Sequence, residues 1–343
     1  GRCLPRLGHS SMSRCRRLSA LSLPVVVLLL LLTRRLDLTQ LSTQFALSAI
    51  VSPVQALYPP PQLLARRVAE RTPPQLARAQ WRAQYAPSNV SIVSIVSSGY
   101  RQWTDHLVAN MRALGLLSYL RLITNDGRCH AYLLASGINV QLTPSSTRDG
   151  SGSAELRYGT VGYQKLVHQL PAVVLREFRV GRSVLFLDAD ITLLANPLAY
   201  LAPLGGDMYV QDDLRKPDSR FNGGFFFAAA SSQTERVFID MDEYIRAHPT
   251  TNNQPAFNWA LLRHARRLRI HVLDPLLFAN GQAFFDLGTA ATRILPVLVH
   301  HNFAVGVGTK VERARRHGLL VERADLGSLL ANYSMAHLSR TES

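Results

Sequence analysis

Val184-Leu185-Phe186-Leu187 is an unbroken apolar run that ends directly in Asp188-Ala189-Asp190. A short apolar run of this kind reads as a strand buried on both faces, the pattern of a sheet covered by helices. In an open α/β sheet, ligands gather where strands end at their carboxyl side. Buried carboxylates are costly without a partner, so two of them at one strand exit call for a cation. Hard oxygen ligands suit Mg²⁺ or Mn²⁺, ions that commonly bridge to substrate phosphates. The plainer reading of the pair is a strand-end turn in which Asp caps the next segment.

The surrounding pattern fits such a sheet. Val90–Val96 is β-branched and closed by Ser97-Ser98-Gly99, which predicts a strand. Arg101–Leu114 places Trp103, Leu107, Met111 and Leu114 at helical spacing, and Gly115 ends it. A second strand is predicted at Tyr119–Thr124, a helix at Cys129–Ala135 and a third strand at Ile138–Leu142. Thr143–Ala154, rich in Ser, Gly and Asp, reads as a loop, and Tyr163–Phe178 as mostly helical with a break or kink at Pro171. Strands alternating with helices predict an α/β fold with helices on both faces of the sheet.

Charge and cysteine content exclude several classes. The chain carries a formal +15, but residues 1–87 hold twelve arginines against only Asp37 and Glu70, so +10 of it sits in the leader. Nucleic-acid binding needs its basic face on a folded module, and that reading falls away. Cys3, Cys15 and Cys129 form no CxxC pair, which excludes both a disulfide framework and a structural zinc site. A 47% hydrophobic chain is not globally disordered.

The predicted organisation has four parts. Residues 1–17 are a basic tail, and 18–33 (LSALSLPVVVLLLLLT) an uncharged membrane-spanning or signal segment. Residues 34–87 form a Pro-punctuated stem with short helices around Leu63–Glu70 and Gln75–Gln84, and 88–343 a globular domain. A single-pass anchor, a cleaved signal peptide and an organelle transit peptide all fit the leader. Asn89-Val90-Ser91 and Asn332-Tyr333-Ser334 are glycosylation sequons, which agree with a lumenal domain.

Two enzyme classes place Asp-x-Asp at a strand exit. One is the nucleotide-sugar glycosyltransferase. The other is the haloacid-dehalogenase-like phosphatase, whose Asp-x-Asp-x-Thr pattern fits Asp188, Asp190 and Thr192. That phosphatase motif normally opens its domain and needs a later acidic pair, whereas here three strands precede it, and the Asp212-Asp213 pair follows just over twenty residues on.

Six blocks in order resemble the plant and algal nucleotide-diphospho-sugar transferases of glycosyltransferase family 77. They are VLFLDADITLLANP (184–197), DMYVQDD (207–213), NGGFF (222–226), NQPAFN (253–258), LDPLLFANG (273–281) and HHNFAVGVGTK (300–310). The resemblance implies a GT-A fold, a Rossmann-like mixed sheet flanked by helices. It also implies retaining transfer from a UDP-sugar to a cell-wall polysaccharide or glycoprotein, the sugar being a pentose or galactose, in a Golgi type II membrane protein with a lumenal domain. By this resemblance Asp188, Asp190 and His300 hold Mn²⁺ or Mg²⁺, with His301 as the fallback for the third ligand. Gly306 lets backbone approach the phosphates and Lys310 neutralises the leaving diphosphate. Asn302 belongs to the same element, and Asp188 also faces the donor.

Other groups are expected near the sugar and the nucleoside. Asp212, Asp213 and Gln254 are the polar groups expected at the sugar, with Asp212 or Asp213 the candidate nucleophile if the reaction is a double displacement. Asn222, Gly223 and Gly224, read as preceding a hydrophobic strand, suggest close ligand approach. Ser98, Gly99 and Tyr100 could bind the nucleotide, Tyr100 by stacking on the base, with Asp126 near the nucleoside; a strand-to-helix cap explains them equally well. The chain departs from the family at Asn253, where the family has Asp, and at Gln169, where it has Lys or Arg; Lys165, one turn away, is the expected substitute. These departures keep a second reading open, a GT-A domain that binds UDP-sugar or glycan without turnover.

Overall fold

A computed structural model describes residues 89–143, 160–201, 205–214, 221–286 and 295–320. The leader, the stem, most of the predicted loop at Thr143–Ala154 and the second sequon lie outside them. No helix among the described residues is long and apolar enough to cross a membrane.

The centre is a seven-stranded sheet of order β3-β2-β1-β4-β7-β6-β8. Its strands are β1 (Val90–Ile95), β2 (Leu120–Thr124), β3 (Val140–Leu142), β4 (Ser183–Leu187), β6 (Met208–Asp212), β7 (Phe221–Ala228) and β8 (Ile270–Leu273). All neighbours pair in parallel except β7, which runs antiparallel to both β4 and β6. A second sheet of three strands orders β5 (Ile191–Leu193), β10 (Leu298–His300) and β9 (Phe278–Ala279), with β10 in the middle.

Among the described residues there are eight helices, in chain order α1 (Arg101–Ala113), α2 (Gly127–Ala135), α3 (Val161–Val167), α4 (Leu170–Arg179), α5 (Pro197–Leu201), α6 (Ser232–Ala247), α7 (Asn253–His264) and α8 (Val307–Arg316). The helical stretch expected over Tyr163–Phe178 with a break or kink at Pro171 is two helices, α3 and α4. The break falls at His168-Gln169, ahead of Pro171, because Pro lacks the N–H that a continuous helix would need and is tolerated in the first turn of α4.

The helices α4, α6 and α7 cover one face of the large sheet. Phe186 of β4 and Phe226 of β7 stack at 5.3 Å, and Phe226 meets Phe257 of α7 at 4.9 Å, all three buried. Truncating a buried Phe costs about 3–5 kcal/mol, so this aromatic stack fixes the antiparallel β7 against its parallel neighbours. The other face packs on α1, α2 and the small sheet through Trp103, Leu107, Met111, Leu185, Leu187, Tyr209 and Phe225. Buried Asn110 of α1 donates to Leu193 O (2.8 Å) and accepts from Leu193 N (2.6 Å), satisfying the backbone of β5.

The reversal of β7 decides where the site can be. At one edge of the large sheet, β1, β2, β4 and β6 present their last residues, whereas antiparallel β7 presents its first, Phe221–Gly224. The expectation that the glycines precede the strand is therefore corrected: Gly223 and Gly224 lie inside β7, and Asp188 N donates to Gly224 O (2.7 Å).

Candidate active site

The exits of β4 and β10 meet at this edge. His300 is the last residue of β10, and β10 pairs with β5, the strand that follows Asp190, so one short sheet carries both halves of the cluster. Asp188, Asp190 and His300 place one ligand atom each within 4.8 Å of one another. His300 Nε2 lies 3.6 Å from Asp188 Oδ2 and 3.5 Å from Asp190 Oδ1. Both are longer than a hydrogen bond. An octahedral ion at about 2.1 Å holds adjacent ligands about 3 Å apart, so the two separations of His300 Nε2 from the carboxylates need only a small contraction to fit one ion.

Two local features shape the cluster for that role. The first is Gly224, where an added Cβ would sit 2.3 Å from Asp188 Oδ2 and 2.5 Å from His300 Cε1. Only the bare backbone of β7 leaves room for both ligands. The second is the buried face of His300, whose Nδ1 lies 3.1 Å from Gln211 Oε1. The imidazole therefore turns Nε2, its other nitrogen, toward the two carboxylates.

Lys310, one turn into α8, reaches back to Asp190 Oδ2 at 2.5 Å. Burial would raise Asp190, but Lys310 and then His300 hold its carboxyl well below the usual range. Burial works to lower Lys310, and Asp190, Tyr100 and Asp188 outweigh it and raise the ammonium. Asp188 keeps 40% of its side chain open to the cleft. Even so, burial raises it, His300 pulls it back, Asp190 raises it again, and it stands at about 6. The result is one firmly ionised carboxylate paired with a lysine and one that takes or gives a proton near neutrality.

The remaining residues named from sequence form a hydrogen-bonded belt beside this cluster. Asp213 accepts from Asn222 Nδ2 (2.8 Å) and from Gln254 Nε2 (3.0 Å). Gln254 Oε1 accepts from Gly223 N (3.1 Å), and Asn222 Oδ1 from Gly224 N (2.8 Å). An added Cβ at Gly223 would lie 3.2 Å from Gln254 Cα, so α7 and β7 approach closely there. Asp212 Oδ1 instead accepts from Leu214 N (2.8 Å) and turns the chain out of β6. Leu214 (φ 54°) and Phe303 (φ 60°) both hold left-handed backbone beside the site, conformations that cost energy for residues with a Cβ.

Asn302 accepts at Oδ1 from Gly281 N (2.6 Å), and its carbonyl takes a bond from Arg313 Nη2 (2.6 Å). Gly306 stands at φ 88°, a value few other residues adopt, and opens α8 so that Lys310 comes one turn later. Ser98, Gly99 and Tyr100 form a 3₁₀ turn after β1. Ser98 donates through N (2.9 Å) and Oγ to Asp126, whose carboxylate also caps α2 by accepting from Arg128 N and Cys129 N. The Lys310 ammonium lies 5.9 Å from the centre of the Tyr100 ring, which brings this turn to the same cleft.

Three groups named from sequence lie elsewhere. Lys165 is exposed on α3, where it is Gln164 that faces inward and donates to Thr250 O (2.5 Å). Gln169 accepts from the Thr143 hydroxyl, a role that needs no charge. His301 follows His300 in sequence but points the opposite way: its Nε2 meets Thr192 Oγ1 (3.0 Å), and burial drives its pKa well below that of a free histidine. Thr192 is buried between His301 and His106 and donates to Leu319 O (3.0 Å). It is a packing hub behind the carboxylates, which leaves the phosphatase motif without its threonine in the cleft.

Sequence reasoning missed Gln211, Asn258 and Asn280. Asn258 bolts α7 to β7 by accepting from Phe221 N (2.9 Å) and donating to Phe221 O (2.7 Å). Asn280 donates to Asp212 O (2.9 Å). The available signal was a polar residue inside an apolar strand, as at Gln211 after Met208-Tyr209-Val210.

The chain has relatives among known proteins. Over 291 residues the chain is 23% identical to the UDP-galactose:fucoside alpha-3-galactosyltransferase of Dictyostelium discoideum, covering 69% of this chain and 44% of that protein. Over 182 residues it is 26% identical to the UDP-D-xylose:L-fucose alpha-1,3-D-xylosyltransferase 3 of Arabidopsis thaliana, covering 46% of this chain and 47% of that one. The chain thus spans about half the length of these relatives. Among solved structures, a glycosyltransferase involved in glycosylation of the major capsid of PBCV-1 superposes with a TM-score of 0.40 at 13% identity, over 66% of this chain and 98% of that one. Residues 116–314, more than half of the chain, match the model of the nucleotide-diphospho-sugar transferases, and the chain belongs to that family.

Proposed function

We propose that this chain is a divalent-metal-dependent glycosyltransferase that moves a sugar from a UDP-sugar to a glycan or glycoprotein acceptor with retention of configuration. The observation that carries the reading is the convergence of Asp188, Asp190, His300 and Lys310 on one cleft at the strand exits. Asp188, Asp190 and His300 would hold Mn²⁺ or Mg²⁺. Bound there, the ion would supply Lewis-acid stabilisation of the charge that develops on the departing diphosphate. Lys310, paired with Asp190, adds a second positive charge beside these ligands.

The belt of Asp213, Asn222 and Gln254 is suited to orient the sugar, and Tyr100, Ser98 and Asp126 border the nucleoside side. Asp213 accepts from two amides, so service as a nucleophile would first break both bonds. Attack by the acceptor on the face that UDP leaves asks for no such group and is the mechanism we adopt. The two relatives above are named for UDP-galactose with a fucoside and for UDP-D-xylose with L-fucose, which makes those donors, and a fucose-bearing acceptor, the first choices. We place the protein in the Golgi membrane with its catalytic domain in the lumen, held by residues 18–33. Protease protection in sealed vesicles tests that placement.

The test of activity is UDP release by the full chain in detergent, with Mn²⁺ and a panel of UDP-sugars including these two. Release from one donor that is lost with EDTA and in Asp190→Ala supports the reading. Metal-dependent UDP binding with no release for any donor or fucoside acceptor would turn it into a binding domain. Neither binding nor release would overturn it.

A further inference from the structure

We propose that Gln211 is a positioning residue that fixes His300 with its Nδ1 protonated and its Nε2 lone pair aimed between Asp188 and Asp190. The inference rests on the reading of those three residues as a metal site and concerns a residue outside it.

The orientation follows from chemistry rather than from hydrogens. Gln211 is completely buried, so both ends of its amide need partners. Its Nε2 lies 3.1 Å from Phe278 O, and a carbonyl can only accept. The NH₂ end is therefore the one at Phe278, and Oε1 is the end at His300 Nδ1, 3.1 Å away. Oε1 can only accept, so Nδ1 carries the proton. In the neutral ring Nε2 is then a bare lone pair, the form that binds a metal.

The fold supplies Gln211 at this spot through an irregularity. On β6, Val210 pairs with Phe226, but Gln211 pairs with Asn222, so one step on β6 matches four on β7. Bulges of this kind re-aim side chains beside active sites. Here the skipped stretch holds Gly223 and Gly224, the residues that leave space for Gln254 and for the ligands. Tyr209 and Gln211 share a face by strand alternation, and Tyr209 belongs to the core on that side. A residue needed only for packing there would be apolar and would avoid the cost of burying an amide.

Mn²⁺ affinity, measured on the full chain from the EPR signal of free Mn²⁺, provides the test. Gln211→Leu keeps the volume and removes the acceptor; its expected effect is a loss of about 10–100-fold in affinity. Gln211→Glu keeps an acceptor for Nδ1–H while losing the donor to Phe278 O, and its expected affinity lies within a few-fold of wild type. A role in packing alone predicts the reverse order, because a buried carboxylate beside a carbonyl is worse for the core than Leu. Equal affinities in wild type and Gln211→Leu, or a weaker Glu than Leu variant, would overturn the inference.

The unmutated chain supplies a second readout that does not depend on the variants folding. Histidine ¹⁵N resonances at alkaline pH, where imidazole is neutral, are expected to show the His300 proton on Nδ1. A proton on Nε2 would also overturn the inference. Absence of Mn²⁺ binding in wild type is a separate result: it defeats the metal-site reading itself, while the Nδ1 proton still reports on Gln211.

Discussion

Gly224→Ala tests the claim that the cleft is shaped around a bare backbone. The new methyl carbon would stand 2.3 Å from Asp188 Oδ2, 2.9 Å from Asp188 Cγ and 2.5 Å from His300 Cε1. Ordinary contact begins at 3.4 Å, so each neighbour must move by roughly 1 Å. The strand cannot supply that movement. Gly224 O holds Asp188 N at 2.7 Å and Gly224 N is held by Asn222 Oδ1 at 2.8 Å, so β7 is tied on both sides. His300, with 3% of its side chain exposed, can yield only by giving up the contact of its far nitrogen with Gln211. Asp188, open to the cleft, swings away, and the triad loses a ligand. A misplacement of about 1 Å costs on the order of 10²-fold in rate, so kcat is expected to fall at least that far, with weaker Mn²⁺ binding. Overpacking costs about 1–3 kcal/mol, or a Tm lower by roughly 2–10 °C, so the variant stays folded. UDP release, a Mn²⁺ titration and a thermal melt on the same preparation read all three. Turnover and Mn²⁺ dependence equal to wild type in a folded Gly224→Ala protein would refute the reasoning.

Three further outcomes are expected. Lys310→Met removes the ammonium but keeps its stem, so donor turnover should fall by about 10²–10³-fold, whereas Mn²⁺ binding without donor should hold or tighten, because Asp190 loses a competing cation. Asp188 stands at about 6 and must be ionised to take a metal, so Mn²⁺ affinity should drop about tenfold from about pH 7 to about pH 5. The same raised value means that this group's contribution to the stability of the metal-free protein declines as pH rises from 3.8 through about 6, and Asp188→Asn should remove that slope from a Tm-against-pH series. Asn253→Asp restores a charge at the first residue of α7, where a helix N-terminus favours it; Tm should hold and the ratio of kcat/KM between UDP-galactose and UDP-xylose should change, whereas an equal change for both would assign Asn253 no part in donor choice.

The β4 run and its Asp-x-Asp were legible because a buried parallel strand writes itself as consecutive apolar residues, and a carboxylate at its exit stands out against them. The helix over Arg101–Ala113 was legible from its spacing for the same reason. The reversal of β7 was not. A strand buried on both faces looks alike in either direction, so Asn222-Gly223-Gly224 read as preceding a strand when they are the first part of one. His300 and His301 are adjacent and equivalent by composition; which of them faces the carboxylates depends on the pairing of β10 with β5, a contact across more than a hundred residues. Gln211 was hidden for a similar reason, since its partners Phe278 and His300 come from distant segments.

The antiparallel β7 also explains how groups of such different sequence position reach one cleft. In an all-parallel sheet every strand would bring only its exit to this edge, and each exit must then turn away into a helix. β7 brings an entry instead, so its backbone can run on beneath Asp188 without turning, with Gly224 O bonded to Asp188 N. The strand between β4 and β6 thus acts as a floor, and side chains from both neighbours stand over it: Asp188 on one side, Gln211 and Asp213 on the other. A floor serves this purpose only if it carries no side chain where the ligands meet. The two glycines of β7 are needed for the site, although in the interior of an ordinary strand they would weaken it.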